Sequence, residues 1–356
     1  MLKKLKKIRV LVVDDSFFMR NLVTDLLSKD RQVEVVGTAK NGVEAVGEAV
    51  RLKPDVITMD FNMPRMNGAQ AVAEILSNCQ KKLPGVVMFS AYTTAGAEAT
   101  LESLRAGAVD FVAKPSGELS LDIDKVEDEL LSKVHAAARA VVRPRSPSQI
   151  PKSSKHPEPP NGPAERLVVI GASTGGPPIV EDILMDLPVN FPGAVLVVQH
   201  MPEYFIKKFS KRLNKLTPFT IKEATDGEMI DKGDILIAPG NRFIDISRQA
   251  KSKQREIKLV SNNQDQRGLT SIDRAMTSAA KSYGADTIGV VLTGMGEDGL
   301  LGMKAIEKAG GYTIAQDPAS AVVASMPVSV IKERLAQETL APRGIAARII
   351  ELCEKE

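Results

Sequence analysis

Short apolar runs alternate along the chain with longer stretches of helical periodicity. The first set is "IRVLVV" (8–13), "VEVVGT" (33–38), "DVITM" (55–59), "GVVMF" (85–89) and "VDFVA" (109–113). Apolar side chains on consecutive positions suit strands buried on both faces, as in a parallel sheet covered by helices. The pattern predicts five βα units wound into one α/β domain. The same grammar returns as "RLVVI" (166–170), "AVLVVQ" (194–199), "DILIAP" (234–239), "TIGVVLT" (287–293) and "YTIAQ" (312–316), predicting a second, larger Rossmann-like domain with a doubly wound, mainly parallel sheet. Residues 242–260, "RFIDISRQAKSKQREIKLV", depart from it: two alternating runs flank a basic tip, which predicts an inserted β-hairpin with a solvated turn.

Between the two sets, residues 143–163 hold seven prolines in 21 positions and almost no large apolar side chain. Such a segment cannot bury enough surface to fold, and its prolines keep it extended. The expected organisation is a first domain over 1–128, a helical end and Pro-rich linker over 129–163, and a second domain over 164–356. A length of 356 residues fits two cores.

Composition narrows the function classes. A net charge of +3, from 47 basic and 44 acidic residues, gives no nucleic-acid footprint. No apolar run approaches the roughly 20 residues that span a bilayer, so no membrane insertion is expected. The opening "MLKKLKKIRVLVVDD" is basic and then apolar like a secretion signal, but the run stops after six residues at two aspartates and reads as a first strand. Cys79 and Cys353 stand alone, without metal spacing or a disulfide framework, and suit a reducing cytoplasm.

In open parallel sheets functional groups collect beyond the carboxyl ends of the strands. Asp14 and Asp15 follow the first strand, Asp60 ends the third, Ser90 ends the fourth and Lys114 follows the fifth. Three converging carboxylates repel unless a hard cation sits among them, and an all-oxygen set suits Mg²⁺. The lysine and hydroxyl then form a clamp for an anion carried on one carboxylate, an aspartyl phosphate. Taken singly, each of these residues reads as a cap or a loop residue. The segments "VLVVDDSFFMR", "VITMDFNMPRMNG" and "AGAVDFVAKP" resemble the receiver domain of bacterial response regulators, over residues 8 to about 128. The resemblance implies that Asp60 accepts phosphate from a histidine kinase, and that Asp14, Asp15, Asp60 and the Asn62 backbone carbonyl hold Mg²⁺. It also implies that Ser90 and Lys114 sense the phosphoryl group. Phe111 stands where such domains often carry an aromatic switch, and reads equally as a core aromatic.

In the second set, "RLVVIGASTGGPP" (166–178) raises two phosphate readings and one catalytic one. A Walker loop needs Lys and Ser/Thr where Pro177 and Pro178 stand, and a dinucleotide fingerprint needs a glycine two residues after Gly171; both fail. Gly171 to Gly175 also reads G-x-S-x-G between a strand and a helix, the setting of a nucleophile elbow that exposes the Ser173 hydroxyl. The plain alternative is a tight βα turn. Of three histidines, His135 falls in a helical stretch and His156 in the proline segment, leaving His200, directly after "AVLVVQ", as the candidate base, or else as a structural histidine satisfied by local hydrogen bonds. With no Cys cluster, a metal or other cofactor in this domain is not expected. After "TIGVVLT" comes "GMGEDGLLG", where Asp298 and its rival Glu297 offer the acid that orients an imidazole. Asp298, taken to open the next helix, reads alternatively as a cap.

The strings "VVIGASTGGP", "VVQHMP", "IAPG", "VVLTGMGEDG" and "AQD" followed by "MP", downstream of a receiver, resemble the chemotaxis protein-glutamate methylesterases over essentially the whole chain. The resemblance implies hydrolysis of γ-glutamyl methyl esters on the cytoplasmic helices of methylated chemoreceptors, releasing methanol, with deamidation of receptor glutamines beside it. It makes Ser173 the nucleophile, His200 the base and Asp298 its orienter, with the backbone amides of Thr174 and Met295 as oxyanion donors. Departures stand at Asn62, where an acidic residue is common, at Phe243, where histidine is usual, in "DQRGLTSID", and at Ala324 and Ser325, which replace a Phe-Gly pair. The departure at Asn62 bears on the lifetime of the phosphorylated state, and those in the second domain are expected near the cleft. A response regulator whose second domain binds a receptor without turnover, and a hydrolase of another ester or amide, are the rival readings. A DNA-binding regulator is disfavoured, because alternating α/β grammar is not a compact helix-turn-helix.

Overall fold

Five parallel strands form the first sheet of the chain, seen in a computed structural model that describes residues 6–79, 82–90, 93–114, 123–143, 162–249, 254–261 and 271–354. The elements are β1 (Ile8–Val13), α1 (Phe17–Ser28), β2 (Val33–Ala39), α2 (Gly42–Leu52), β3 (Val56–Asp60), α3 (Gly68–Asn78), β4 (Gly85–Ser90), α4 (Thr94–Ala106), β5 (Asp110–Ala113) and α5 (Ile123–Arg139). The sheet order is β2-β1-β3-β4-β5. β3 and β4 are buried at every position, which is why their sequences are nearly continuous apolar runs. Ser16, Asn41, Asn67 and Thr93 start the first four helices by accepting a main-chain N–H, so each βα turn is fixed by its own cap.

The second unit contains β6 (Leu167–Ala172), α6 (Gly176–Met185), β7 (Ala194–Gln199), α7 (Glu203–Leu216), β8 (Ile221–Glu223), β9 (Ile235–Ile237), β10 (Arg242–Arg248), β11 (Arg255–Ser261), α8 (Ser271–Tyr283), β12 (Thr287–Val291), α9 (Leu300–Lys308), β13 (Tyr312–Gln316), α10 (Ser325–Lys332), β14 (Glu338–Leu340) and α11 (Pro342–Glu354). Seven of these strands make a parallel sheet in the order β14-β13-β12-β6-β7-β9-β8. The chain starts in the middle at β6, winds outward through β7 to β8 and β9, and returns to the other side of β6 at β12. Strand order therefore reverses between β6 and β12. A crevice opens at the carboxyl ends of strands on such a switch point.

The inserted hairpin is present as β10 and β11, antiparallel from Arg242 opposite Ser261 to Arg248 opposite Arg255. Its alternation buries Ile244, Ile246 and Ile257 against α8. Ser278 and Ser282 bond the Ile246 backbone at 3.0 and 2.7 Å, and Arg274 forks onto Asp245 at 2.9 and 2.8 Å.

The chain divides into compact units at Met1–Ser148 and Gln149–Glu356. Residues 144–161, most of the proline-rich segment and His156 with it, lie outside the described residues. Cys79 and Cys353 are free thiols. No helix of the described residues is long and apolar enough to cross a membrane.

Candidate functional site

The first sheet brings Asp14, Asp15 and Asp60 together at its β1/β3 switch point, with one oxygen of each within 4.8 Å of the others. Asp14 and Asp60 are buried and Asp15 is exposed. Lys114 places Nζ 2.8 Å from both Asp14 Oδ2 and Asp60 Oδ1. Burial holds the Asp60 carboxyl above the ordinary carboxylate range, although the Lys114 cation pulls it the other way. For Lys114 burial acts against the charge, and the Asp60 and Asp14 carboxylates more than offset it, so the ammonium is held above its ordinary value. Three carboxylates on one side of an open sheet edge, compensated by a single lysine, are the donor set a hard divalent cation takes. Asn62 is exposed two residues beyond Asp60. The buried Ser90 hydroxyl donates to the Gly96 carbonyl of α4 at 3.1 Å. Phe111 is buried, and the Lys133 ammonium lies 4.9 Å from its ring centroid, so it sits as a core aromatic.

In the second sheet Ser173 follows β6, His200 follows β7, and residues 293–298 follow β12, the three central strands. The Ser173 turn is built by main-chain bonds. Ser173 N donates to Thr293 O at 3.0 Å, Gly176 N donates to Ser173 O at 2.8 Å, and Gly175 adopts φ +75°. A Cβ on Gly294 would stand 2.8 Å from Ser173 Cβ and 2.0 Å from Met326 Sδ, so only glycine lets the two loops touch. Thr293 locks this contact from below, since its hydroxyl donates to Thr174 O at 2.9 Å and accepts from Val323 N at 2.9 Å. Thr174, next in the elbow, and Met295, next after Gly294, are thereby held beside Ser173.

His200 Nε2 lies 2.6 Å from Asp298 Oδ2. Asp298 is buried and Glu297 is exposed, so the acid against the imidazole is Asp298. Asp298 does not cap the helix that follows it, as its position in sequence suggests. It accepts from Ile272 N at 3.2 Å and Asp273 N at 2.9 Å at the start of α8, while Asp273 Oδ1 accepts from Gly299 N and Gly302 N at the start of α9. The two aspartates thus cap each other's helices, because α8 and α9 begin side by side. Capping and contact with His200 are compatible: one carboxylate does both.

A carboxylate on Nε2 keeps the ring hydrogen there and leaves the Nδ1 lone pair for a proton donor. Among the described residues the Ser173 hydroxyl has no hydrogen-bond partner, so the serine and the imidazole share an edge without being bonded. An open cleft of about 370 Å³ beside them is lined by His200, Ser271, Asp298, Arg242 and Phe243, among others, but not by Ser173. The cleft therefore opens onto His200, and Gln199, whose side chain bonds the Ser173 carbonyl, lines it too.

Two residues at the site carry no sequence signal. Ser271 places Oγ 3.1 Å from His200 Nε2, although 71 residues separate them. Gln199 Nε2 donates to both Ser173 O, at 2.9 Å, and His200 O, at 3.1 Å. Of the departures, Phe243 lines the cleft and the Ser325 hydroxyl donates to Gly294 O at 2.8 Å, one residue contact from Ser173.

The family described as "CheB methylesterase" matches residues 168–349, and "Response regulator receiver domain" matches residues 10–123. The "Protein-glutamate methylesterase/protein-glutamine glutaminase" of Thermotoga maritima is 42% identical over 346 residues, 97% of this chain and 98% of its own. A Pseudomonas putida protein of the same description, "of group 1 operon", is 39% identical over 375 residues, 97% of this chain and 99% of its own. The solved "Thermotoga maritima CheB methylesterase catalytic domain" is 39% identical and covers 52% of this chain and 98% of its own, with a TM-score of 0.49.

Proposed function

The chain belongs to the CheB methylesterase family, and on that premise we propose that Ser173, His200 and Asp298 are the hydrolytic unit of a protein-glutamate methylesterase and protein-glutamine glutaminase controlled by phosphorylation of Asp60. The observation that carries the reading is the buried Asp298 carboxylate 2.6 Å from His200 Nε2, on the sheet edge where Ser173 follows β6.

The reaction follows from these positions. His200 Nδ1 takes the Ser173 hydroxyl proton once substrate closes the gap between them, a contact that commonly tightens only in the complex. The oxygen attacks the γ-carbonyl of an esterified glutamate. The tetrahedral oxyanion is met by the amides of Thr174 and Met295, and Asp298 steadies the imidazolium. Collapse breaks the C–O bond to the methyl group's oxygen, and the His200 proton leaves with it as methanol. Water, deprotonated by the same nitrogen, then cleaves the acyl-serine and releases glutamate. A glutamine side chain follows the same path with ammonia as leaving group.

In the first unit, Asp60 takes the phosphoryl group from a histidine kinase of the chemotaxis pathway. Mg²⁺ held by Asp14, Asp15, Asp60 and the Asn62 carbonyl would neutralise the charge there. Lys114 and Ser90 meet the phosphoryl oxygens, which requires Lys114 to give up one of its two carboxylates. The substrate is the cytoplasmic helical part of methylated chemoreceptors, and the enzyme works in the cytoplasm.

A serine-reactive phosphonate tests the nucleophile. Mass spectrometry is expected to find the adduct on the peptide containing Ser173 and to find far less in His200→Ala. Labelling of another serine, Ser271 included, would contradict the assignment.

A further inference from the structure

Arg242 begins β10 and lines the cleft that leads to His200. Its side chain is exposed, and among the described residues it has no ion pair or hydrogen bond. Among the described residues, the carboxylates at the cleft and beside the start of β10 are already committed. Glu203 bonds Asn241 at 2.6 Å and Lys207 at 2.5 Å, Asp245 takes both prongs of Arg274, and Asp298 is held by His200 and two amides of α8. Among the described residues the cleft thus carries one guanidinium without a paired carboxylate, on a strand whose register is fixed by its partner β11. A pre-placed cation beside a reaction centre, with no internal anion to neutralise it, is a recognition element for a negative charge on the ligand.

The group that reacts is neutral, because a glutamyl methyl ester and a glutamine amide carry no charge. The anion must come from elsewhere on the substrate. From this we infer that Arg242 is a specificity-determining residue that pairs with a free carboxylate flanking the esterified glutamate on the same receptor segment. Sites with an unmodified acidic neighbour are then hydrolysed in preference to sites whose neighbours are neutral or themselves methylated. The rest of the wall supports a single charged contact: Phe243, Ile244, Ala275 and Met201 are apolar and leave no second cation facing the cleft among its lining residues.

The inference rests on the methylesterase reading, and the test separates the two. Methanol release is measured on methylated receptor fragments made with an acidic residue flanking the esterified glutamate and with that residue replaced by alanine, using intact wild type, Arg242→Gln and Arg242→Glu. Wild type is expected to lose about tenfold in kcat/KM on the alanine-flanked fragment, mostly through KM. Arg242→Gln should lose less than about twofold from the same change, and Arg242→Glu should prefer the alanine-flanked fragment. That inversion cannot come from a merely structural role, and Arg242→Lys should restore part of the wild-type preference. Equal losses for wild type and Arg242→Gln, or no loss in wild type, would overturn the inference and leave the esterase standing. A wild type that releases no methanol from any fragment overturns both.

Discussion

Asp298 accepts from His200 and from two main-chain amides at once, so it cannot swing away from the imidazole. An asparagine keeps the shape but can present an N–H to Nε2, which favours the wrong tautomer. Asp298→Asn is expected to lower kcat by about 10⁴, against about 10⁶ for Ser173→Ala or His200→Ala alone, with the double variant hardly worse than either single one. The exposed Glu297 should tolerate glutamine within about twofold. Methanol release by the five variants checks all of this, and a larger loss in Glu297→Gln than in Asp298→Asn would name the wrong acid. Ser173, His200 and the Glu297–Asp298 pair were legible because each sits just after an apolar strand. Gln199 and Ser271 were not. The contact of Gln199 with Ser173 O depends on the parallel register that sets Ala172 opposite it, and Ser271 reaches His200 only because α8 starts beside α9. Register and helix adjacency are long-range facts that no local pattern encodes.

At the scale of elements, the apolar runs predicted ten strands of the two parallel sheets, and the alternating basic stretch predicted the hairpin. β8 and β14 escaped notice. Each is three residues long at a sheet edge and includes charged or polar positions, so neither makes an apolar run. The reciprocal capping of α8 and α9 was also invisible, since Asp273 and Asp298 lie 25 residues apart along the chain. It ties the loop bearing Asp298, the carboxylate against His200, to a helix start, so Asp273 contributes to both stability and geometry. Asp273→Ala leaves the amides of Gly299 and Gly302 without their acceptor and should cost about 1 to 2 kcal/mol. Urea unfolding followed by tyrosine fluorescence reads this, because three of the four tyrosines, Tyr204, Tyr283 and Tyr312, lie in the second unit, Tyr92 alone lies in the first, and the chain has no tryptophan. An unchanged midpoint would mean that water replaces the cap.

The whole molecule repeats one plan twice: a parallel sheet whose order reverses beside its first strand, with polar chemistry at that reversal. The first sheet gathers Asp14, Asp15 and Asp60 there, and the second gathers Ser173, His200 and Asp298. This plan was legible from the alternation of runs and the proline-rich break. How phosphorylation of the first unit would bias the second was not, because a two-state bias leaves no periodicity in sequence. The measurement that bears most directly on a phosphorylation-controlled serine esterase is the rate of methanol release from a methylated chemoreceptor fragment, taken on the intact chain before and after adding a small phosphodonor with Mg²⁺. The wild type is expected to accelerate about tenfold, as a bias of roughly 1.4 kcal/mol gives when the active state is rare; Asp60→Asn should stay at the starting rate, and Ser173→Ala should release no methanol in either condition. Acceleration that survives Asp60→Asn, or methanol release that survives Ser173→Ala, would contradict the account.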